Sequence, residues 1–74
     1  MVTLFDFNAM DDNERAEVAW SGTYLGDRQE GGHIIQLYSL PDFYVEVFYD
    51  TDRNDISRIR GFKKLHLLTP YIQL

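Results

Sequence analysis

The sequence contains no cysteine, only two prolines and two histidines, and no long apolar run. Without cysteine the fold has no disulfide and no thiolate metal ligand, and nothing points to an oxidising compartment. The N-terminal stretch has no basic segment ahead of an apolar one, and no stretch reaches the length of a membrane span. We therefore expect a cytoplasmic protein with no membrane association and no cofactor.

The length of 74 residues predicts one small domain spanning 1–74. A chain of this size buries only about 60% of the surface that its unfolded form exposes, so its core needs bulky side chains or a partner. Aromatic residues make up 15% of the sequence. Much of the core volume should therefore come from rings, and a second copy of the chain is expected to add more.

The charge is acidic overall and unevenly distributed. The formal net charge is -5, and all 12 Asp and Glu residues lie in 1–55. Residues 56–74 carry four cations and no acid: Arg58, Arg60, Lys63 and Lys64. This asymmetry is explained either by pairing within one sheet or by complementarity to a partner.

An N-terminal helix is predicted from a cap and an apolar stripe. Asn8 is a suitable N-cap, with acidic residues following in the first turn. The stripe consists of Ala9, Asn13, Ala16 and Trp20, with Trp20 as its expected anchor. Ser21 and Gly22 mark the end of the helix. The acids of the first turn (Asp11, Asp12 and Glu14) suit a solvated helix start and equally the steering of a basic partner.

Four strands are predicted after this helix, over residues 23–29, 34–40, 43–49 and 56–62. The two adjacent glycines of 30–33 indicate a tight hairpin between the first two. Ile56 and Ile59 differ in parity, which predicts a bulge in the fourth strand or partial cover on both faces. Thr69 followed by proline predicts a short helical turn near the C-terminus.

The predicted fold class is α+β, with the N-terminal helix packed on a three- to four-stranded antiparallel meander. One helix covers only one face of the sheet. The other face keeps Tyr44 and Phe48, with Tyr38 or Tyr24 depending on register. We expect a second copy to cover it, which makes the protein a homodimer.

The stretches "EGGHIIQLYSLPDFYVEVFYD", "RIRGFKK" and "LTPYI" resemble a set of short bacterial proteins of unknown function. The likeness covers roughly residues 20–72. It implies a bacterial protein and supports the strand pattern as a unit. It implies no catalytic residue.

The loop after the third strand raises the question of calcium binding. Counted from Asp50, Asp52 and Asn54 occupy ligand positions of a helix-loop-helix calcium site. Asp55 stands where that loop requires glycine, Gly61 stands where it requires a bidentate Glu, and a strand precedes it. Asp and Asn also form tight turns. The loop is therefore interpreted as a hairpin turn, and no metal site is predicted.

Catalytic groups are sparse. His33 and His66 have no cysteine partner, and Glu17 and Glu46 are the carboxylates expected to be partly buried. A buried carboxylate can act as a general base, but pairing of Glu46 with Arg58 or Arg60 across a hairpin is the favoured interpretation. The chain is accordingly predicted not to be an enzyme, and no catalytic or cofactor-binding residue is assigned.

The predicted function is a non-enzymatic protein-interaction module, such as a small regulatory, adaptor or inhibitor protein, binding itself or another protein. Its candidate partner-binding residues are Tyr44, Phe48, Arg58, Arg60, Phe62, Lys63 and Lys64. Two alternatives stay open. One is a small nucleic-acid binder using the basic 58–64 strip, which begins like an RNA-recognition signature but departs from it at Lys63 and Lys64. The other is a ligand or enzymatic pocket at a dimer interface, lined by His33 or Glu46.

Overall fold

The computed structural model describes residues 1–72 and has an α+β fold. Two short helices precede a four-stranded antiparallel sheet with the strand order β1-β2-β3-β4, and a 3-10 helix follows it. The elements are α1 (Leu4–Asn8), α2 (Asp12–Ser21), β1 (Thr23–Glu30), β2 (His33–Ser39), β3 (Tyr44–Asp50), β4 (Asp55–Phe62) and the C-terminal 3-10 helix (Leu65–Tyr71). The predicted fold class and strand pattern are confirmed. Within residues 1–72 no helix is long and apolar enough to cross a membrane.

The N-terminal helical region is divided in two, where the sequence predicted a single helix. Each helix begins at a reciprocal capping box, Thr3 with Asp6 for α1 and Asp11 with Glu14 for α2. In such a box the side chain of the cap residue accepts a hydrogen bond from the backbone amide of the third helical residue. The side chain of that third residue in turn accepts a hydrogen bond from the backbone amide of the cap residue. Asn8 is therefore the last residue of α1, and the prediction that it caps the helix was wrong.

Trp20 does not anchor α2 in the core, which corrects a second prediction. This residue is 56% exposed, whereas Ala16 and Ala19 are buried. The predicted stripe did not include α1, whose Phe7 fills the core and packs against Phe43 in a tilted arrangement with ring centroids 5.1 Å apart. Small residues on the buried side let α2 lie close to the sheet, and Trp20 is turned to one side.

The hairpins follow from local chemistry. Gly31 and Gly32 have φ values of 53° and 80°, which glycine adopts without a steric penalty. In the last hairpin Phe48 lies opposite Arg58 and Tyr49 lies opposite Ile56, so β4 carries one extra residue. The bulge expected from the parity of Ile56 and Ile59 is confirmed.

The two faces of the sheet are covered by different elements. On one face the helices complete the main core, which contains Phe7, Ala16, Ala19, Tyr38, Phe43, Val45, Val47 and Ile59. Tyr38 belongs to this core and Tyr24 lies opposite it on β1, so the expectation that one of them shares the other face with Tyr44 and Phe48 was wrong. On the opposite face Ile35 and Leu37 are also buried. There Tyr71 of the 3-10 helix contacts Glu46 and Arg28, so the chain covers part of this face itself.

The 3-10 helix begins at Leu65, four residues before the predicted start. Thr69 does not cap it: its hydroxyl donates to the carbonyl of His66 at 2.7 Å. Pro70 lies inside the helix instead of at its first turn.

Candidate functional site

The helices cover the sheet face at one end and leave it open at the other. At the covered end Leu4 and Phe7 lie against Gly61, where an added Cβ would approach the Leu4 Cδ1 atom to 2.7 Å. At the end near the β1–β2 and β3–β4 turns, Ile34 pairs with Tyr49. Tyr49 pairs in turn with Ile56. This second row of side chains is only partly buried, and Ile56 is 37% exposed.

A groove of about 400 Å³ lies over this open end, with Trp20 as its wall. Its lining, which defines what we call the Trp20 groove, consists of Trp20, Ile34, Gln36, Val47, Tyr49 and Ile56. A second depression of about 410 Å³ continues past Trp20 and Ile56 along α2. Five of the six groove residues are apolar or aromatic, so the groove presents apolar surface to water.

The surroundings of the Trp20 groove are acidic. Asp12 and Glu17 of α2 line the adjoining depression, and no Lys, Arg or His is among the described residues that line either depression. Glu17 is exposed, so the prediction that it is partly buried was wrong. Asp27 of β1 pairs with Gln36 and therefore lies on the same face of the sheet. The Tyr24 hydroxyl donates to the Asp27 carboxylate at 2.6 Å, and this hydrogen bond raises the pKa of Tyr24.

A buried ionic cluster occupies the opposite face of the sheet. Glu46 is fully buried, and its carboxylate accepts hydrogen bonds from three side chains. Arg60 donates from Nε at 3.1 Å and also from Nη2, Arg28 donates from Nη2 at 3.2 Å, and the Tyr71 hydroxyl donates at 2.6 Å. The pairing of Glu46 with Arg60 agrees with the favoured interpretation of the sequence.

The titration of this cluster follows from its hydrogen bonds. Burial alone would raise the pKa of Glu46, but hydrogen bonds from Tyr71 and Arg60 outweigh it and hold the pKa below its ordinary value. Burial and the hydrogen bond to Glu46 raise the pKa of Tyr71. The carboxylate is therefore charged at neutral pH with its acceptor sites engaged, which is the chemistry of a structural ion cluster.

The predicted cationic strip lies on the same face as Glu46 or just beyond β4. The Arg58 guanidinium sits over the Phe48 ring at 5.3 Å from its centroid. Lys63 follows β4, with its Nζ 3.4 Å from an Asp42 carboxylate oxygen, and Lys64 is exposed. Together with Arg60, three of the four strip cations thus have partners within the chain.

The three rings predicted to bind a partner also lie on this face. Phe62 is buried and stacks on Tyr44 with ring centroids 5.6 Å apart. Tyr44 and Phe48 are partly buried. The structure thus brings five of the seven predicted residues to one side of the sheet, with Lys63 and Lys64 beyond the end of β4, and their role in partner binding stays a prediction.

The loop after β3 forms a turn, as the sequence predicted. One Asp50 carboxylate oxygen accepts from the amides of Asp52 at 3.0 Å and Arg53 at 3.1 Å. These backbone hydrogen bonds, that of Arg53 most strongly, lower the pKa of Asp50. His33 lies beside the turn, with its Nε2 atom 4.0 Å from Asp50. Residues 1–72 contain no group of three or more His, Cys, Asp or Glu that could hold a metal.

Two features of the site were missed at the level of sequence. Trp20 was assigned to the core, although the polar Asn13 in its stripe already indicated that this face is not fully buried. Arg28 and Tyr71 were not connected with Glu46. The side of β1 on which Arg28 lies follows from strand alternation and the Gly-Gly turn, but no local pattern brings Tyr71 back to a strand 25 residues earlier.

The comparisons with known proteins add no assignment. A scan against models of protein families found no match, and searches of curated proteins and of solved structures found none either. The function proposed below therefore rests on the residues and the geometry of this chain.

Proposed function

We propose that this chain is a non-enzymatic protein-interaction module that binds a partner protein through the Trp20 groove. The observation that carries the proposal is the open apolar end of the sheet face, bounded by a tryptophan that is 56% exposed. Contiguous apolar surface of this kind is typical of interaction sites, whereas isolated exposed apolar residues need no explanation. Trp and Tyr are also enriched among the residues that dominate binding energy.

The exposed part of Trp20 alone offers a useful binding energy. A large aromatic side chain buries about 150–250 Å² on becoming fully covered, so the exposed half corresponds to about 100 Å². At about 25 cal/mol per Å², covering this area contributes about 2.5 kcal/mol. The neighbouring side chains of Ile34, Tyr49 and Ile56 would add to it.

The ionic cluster supports the non-enzymatic part of the proposal. A general base needs a lone pair within reach of a substrate. The Glu46 carboxylate is fully buried and is engaged by two guanidinium groups and a phenol. Its perturbed pKa is explained by these contacts, so it serves the fold.

The wider assignments made from the sequence remain predictions. They are a regulatory, adaptor or inhibitory role, a cytoplasmic location, homodimer formation, and nucleic-acid binding by the 58–64 strip as an alternative. The homodimer predicted from the sequence would cover the Tyr44 and Phe48 face and not the Trp20 groove, and light scattering at increasing protein concentration tests for it.

A peptide-display selection tests the proposal. Peptides are selected on the wild-type protein alone from a random library, and their binding is then measured on the wild type and on Ile56→Asp, which places a charge in the groove. Trp20→Ala serves as a second groove variant, and Leu25→Asp is the control because Leu25 is 51% exposed and lies outside the groove lining.

Peptides that bind the wild type and Leu25→Asp, but bind folded Ile56→Asp and Trp20→Ala at least tenfold more weakly, are the expected result. Peptides that bind all four proteins equally would show that the groove is not the binding surface. Circular dichroism establishes that each variant is folded before its binding is compared.

A further inference from the structure

The charged residues around the Trp20 groove indicate which charge its partner should have. Asp12 and Glu17 lie along α2, Asp27 lies on β1, and all three are on the groove side of the sheet. Arg28 and Arg60 point to the other face, where Glu46 engages both. On the helix side Arg15 pairs with Asp12 at 3.3 Å, so the acidic border of the groove rests mainly on Glu17 and Asp27.

The width of the groove indicates the shape of its occupant. The floor extends across β2, β3 and β4, and adjacent strands are about 4.8 Å apart, so it is about 10 Å wide. This matches the diameter of an α-helix with its side chains, about 10–12 Å. Because α2 already packs beside this floor, a further helix would extend the helical layer that covers the sheet.

We propose that the Trp20 groove binds a basic amphipathic helix of a partner protein, with the apolar stripe of that helix on Ile34, Tyr49 and Ile56 and its cations facing Glu17 and Asp27. This inference rests on the proposed function and adds the chemistry of the partner.

A second copy of this chain is a poorer occupant of the same groove. In a twofold dimer the same patch of both subunits meets itself. The acidic borders of two grooves would then lie close together, and like charges in such positions are destabilising. A basic partner instead gains attraction from the same residues.

The test uses the fluorescence of Trp20, the single tryptophan of the chain. Three synthetic peptides without aromatic residues are titrated into the protein. They have equal length and the same leucines at helical spacing, and their polar positions carry lysine, glutamine or glutamate. The lysine peptide should shift the emission to the blue and bind about tenfold more tightly than the glutamine peptide, the effect of two partly exposed ion pairs. Added salt should reduce this difference.

A matched pair of variants separates local from overall charge. Glu17→Gln removes one charge from the groove border and should weaken binding of the lysine peptide about threefold. Glu30→Gln removes the same charge on the other face, where Glu30 contacts Arg28, and should leave binding unchanged. An equal loss in both variants would mean that overall net charge attracts the peptide, which would overturn the inference.

The remaining outcomes distinguish this inference from the proposed function. Equal binding of all three peptides at the Trp20 groove would overturn the inference that the partner is basic, but it would leave the proposal that the groove is a binding surface. Failure of every peptide to change the emission, together with failure of the display selection, would overturn both. A molar mass that doubles as the Trp20 emission shifts with protein concentration would identify a second copy as the occupant and overturn the inference.

Discussion

Replacing Glu46 with Gln should destabilise the fold severely, because it removes the buried charge that Arg60 and Arg28 both contact, although Arg28 also pairs with an exposed carboxylate on β1. Removing one partner of a buried ion pair costs about 3–5 kcal/mol. The Arg28 and Arg60 side chains keep 18% and 31% of their area exposed, so water can partly solvate them, and we expect a loss near the lower limit, about 3 kcal/mol. A domain of this length has a stability of about 4–11 kcal/mol, so the loss is a large fraction of the total.

Urea unfolding followed by circular dichroism measures this loss, and a thermal scan should show a melting temperature lower by about 12–24 °C. Glu17→Gln is the control, since it removes an equal charge from an exposed position and should not move the transition. A change of less than about 1 kcal/mol in Glu46→Gln would refute the account of the cluster, because it would place this carboxylate among ordinary surface groups.

The pH dependence of the same variant provides a second check. The folded state holds the pKa of Glu46 below its ordinary value of 4.5, so at low pH the unfolded state binds more protons. The stabilisation from the charged carboxylate is therefore complete above pH 4.5 and is lost as the pH falls through the lower folded pKa. The difference in stability between wild type and Glu46→Gln should narrow over this acid range, and a constant difference would contradict the assignment.

Three further substitutions test the packing on either face of the sheet. Arg60→Glu should lower the melting temperature in a thermal scan, because it places a second carboxylate against Glu46, and an unchanged melting temperature would argue for a surface role. Gly61→Ala should cost about 1–3 kcal/mol in urea unfolding, since its Cβ would meet Leu4 at 2.7 Å, and a neutral result would mean that the first helix is loosely packed. Tyr71→Phe should cost about 1.5–3 kcal/mol and increase amide exchange in the 3-10 helix; unchanged exchange would show that its hydroxyl does not hold this segment.

The strands and turns could be predicted from the sequence because local chemistry determines them. Branched and aromatic residues indicated the strand at 34–40, the division of 43–49 and of 56–62 between two faces indicated the third and fourth strands, and Gly31 with Gly32 indicated the first hairpin. The parity of Ile56 and Ile59 gave the bulge. These signals act over a few residues, so the sequence carries them directly.

The site could be predicted only in part, because it depends on contacts between distant segments. Pairing of Glu46 with Arg60 follows from alternation across one hairpin, but the approach of Tyr71 depends on the path of residues 63–71. Trp20 was misplaced for a similar reason. Phe7 lies in a separate helix, α1, and fills the part of the core that the apolar stripe of α2 had assigned to the side chain of Trp20.

Acrylamide quenching of Trp20 in the free protein, at low and high protein concentration, tests the central claim most directly. An open groove predicts emission typical of indole in water and strong quenching, both independent of concentration, because the wall of the groove is 56% exposed in the single chain. Blue-shifted emission that resists quenching at every concentration would contradict the account, since Trp20 would then be covered by its own chain and the groove would have no room for a partner.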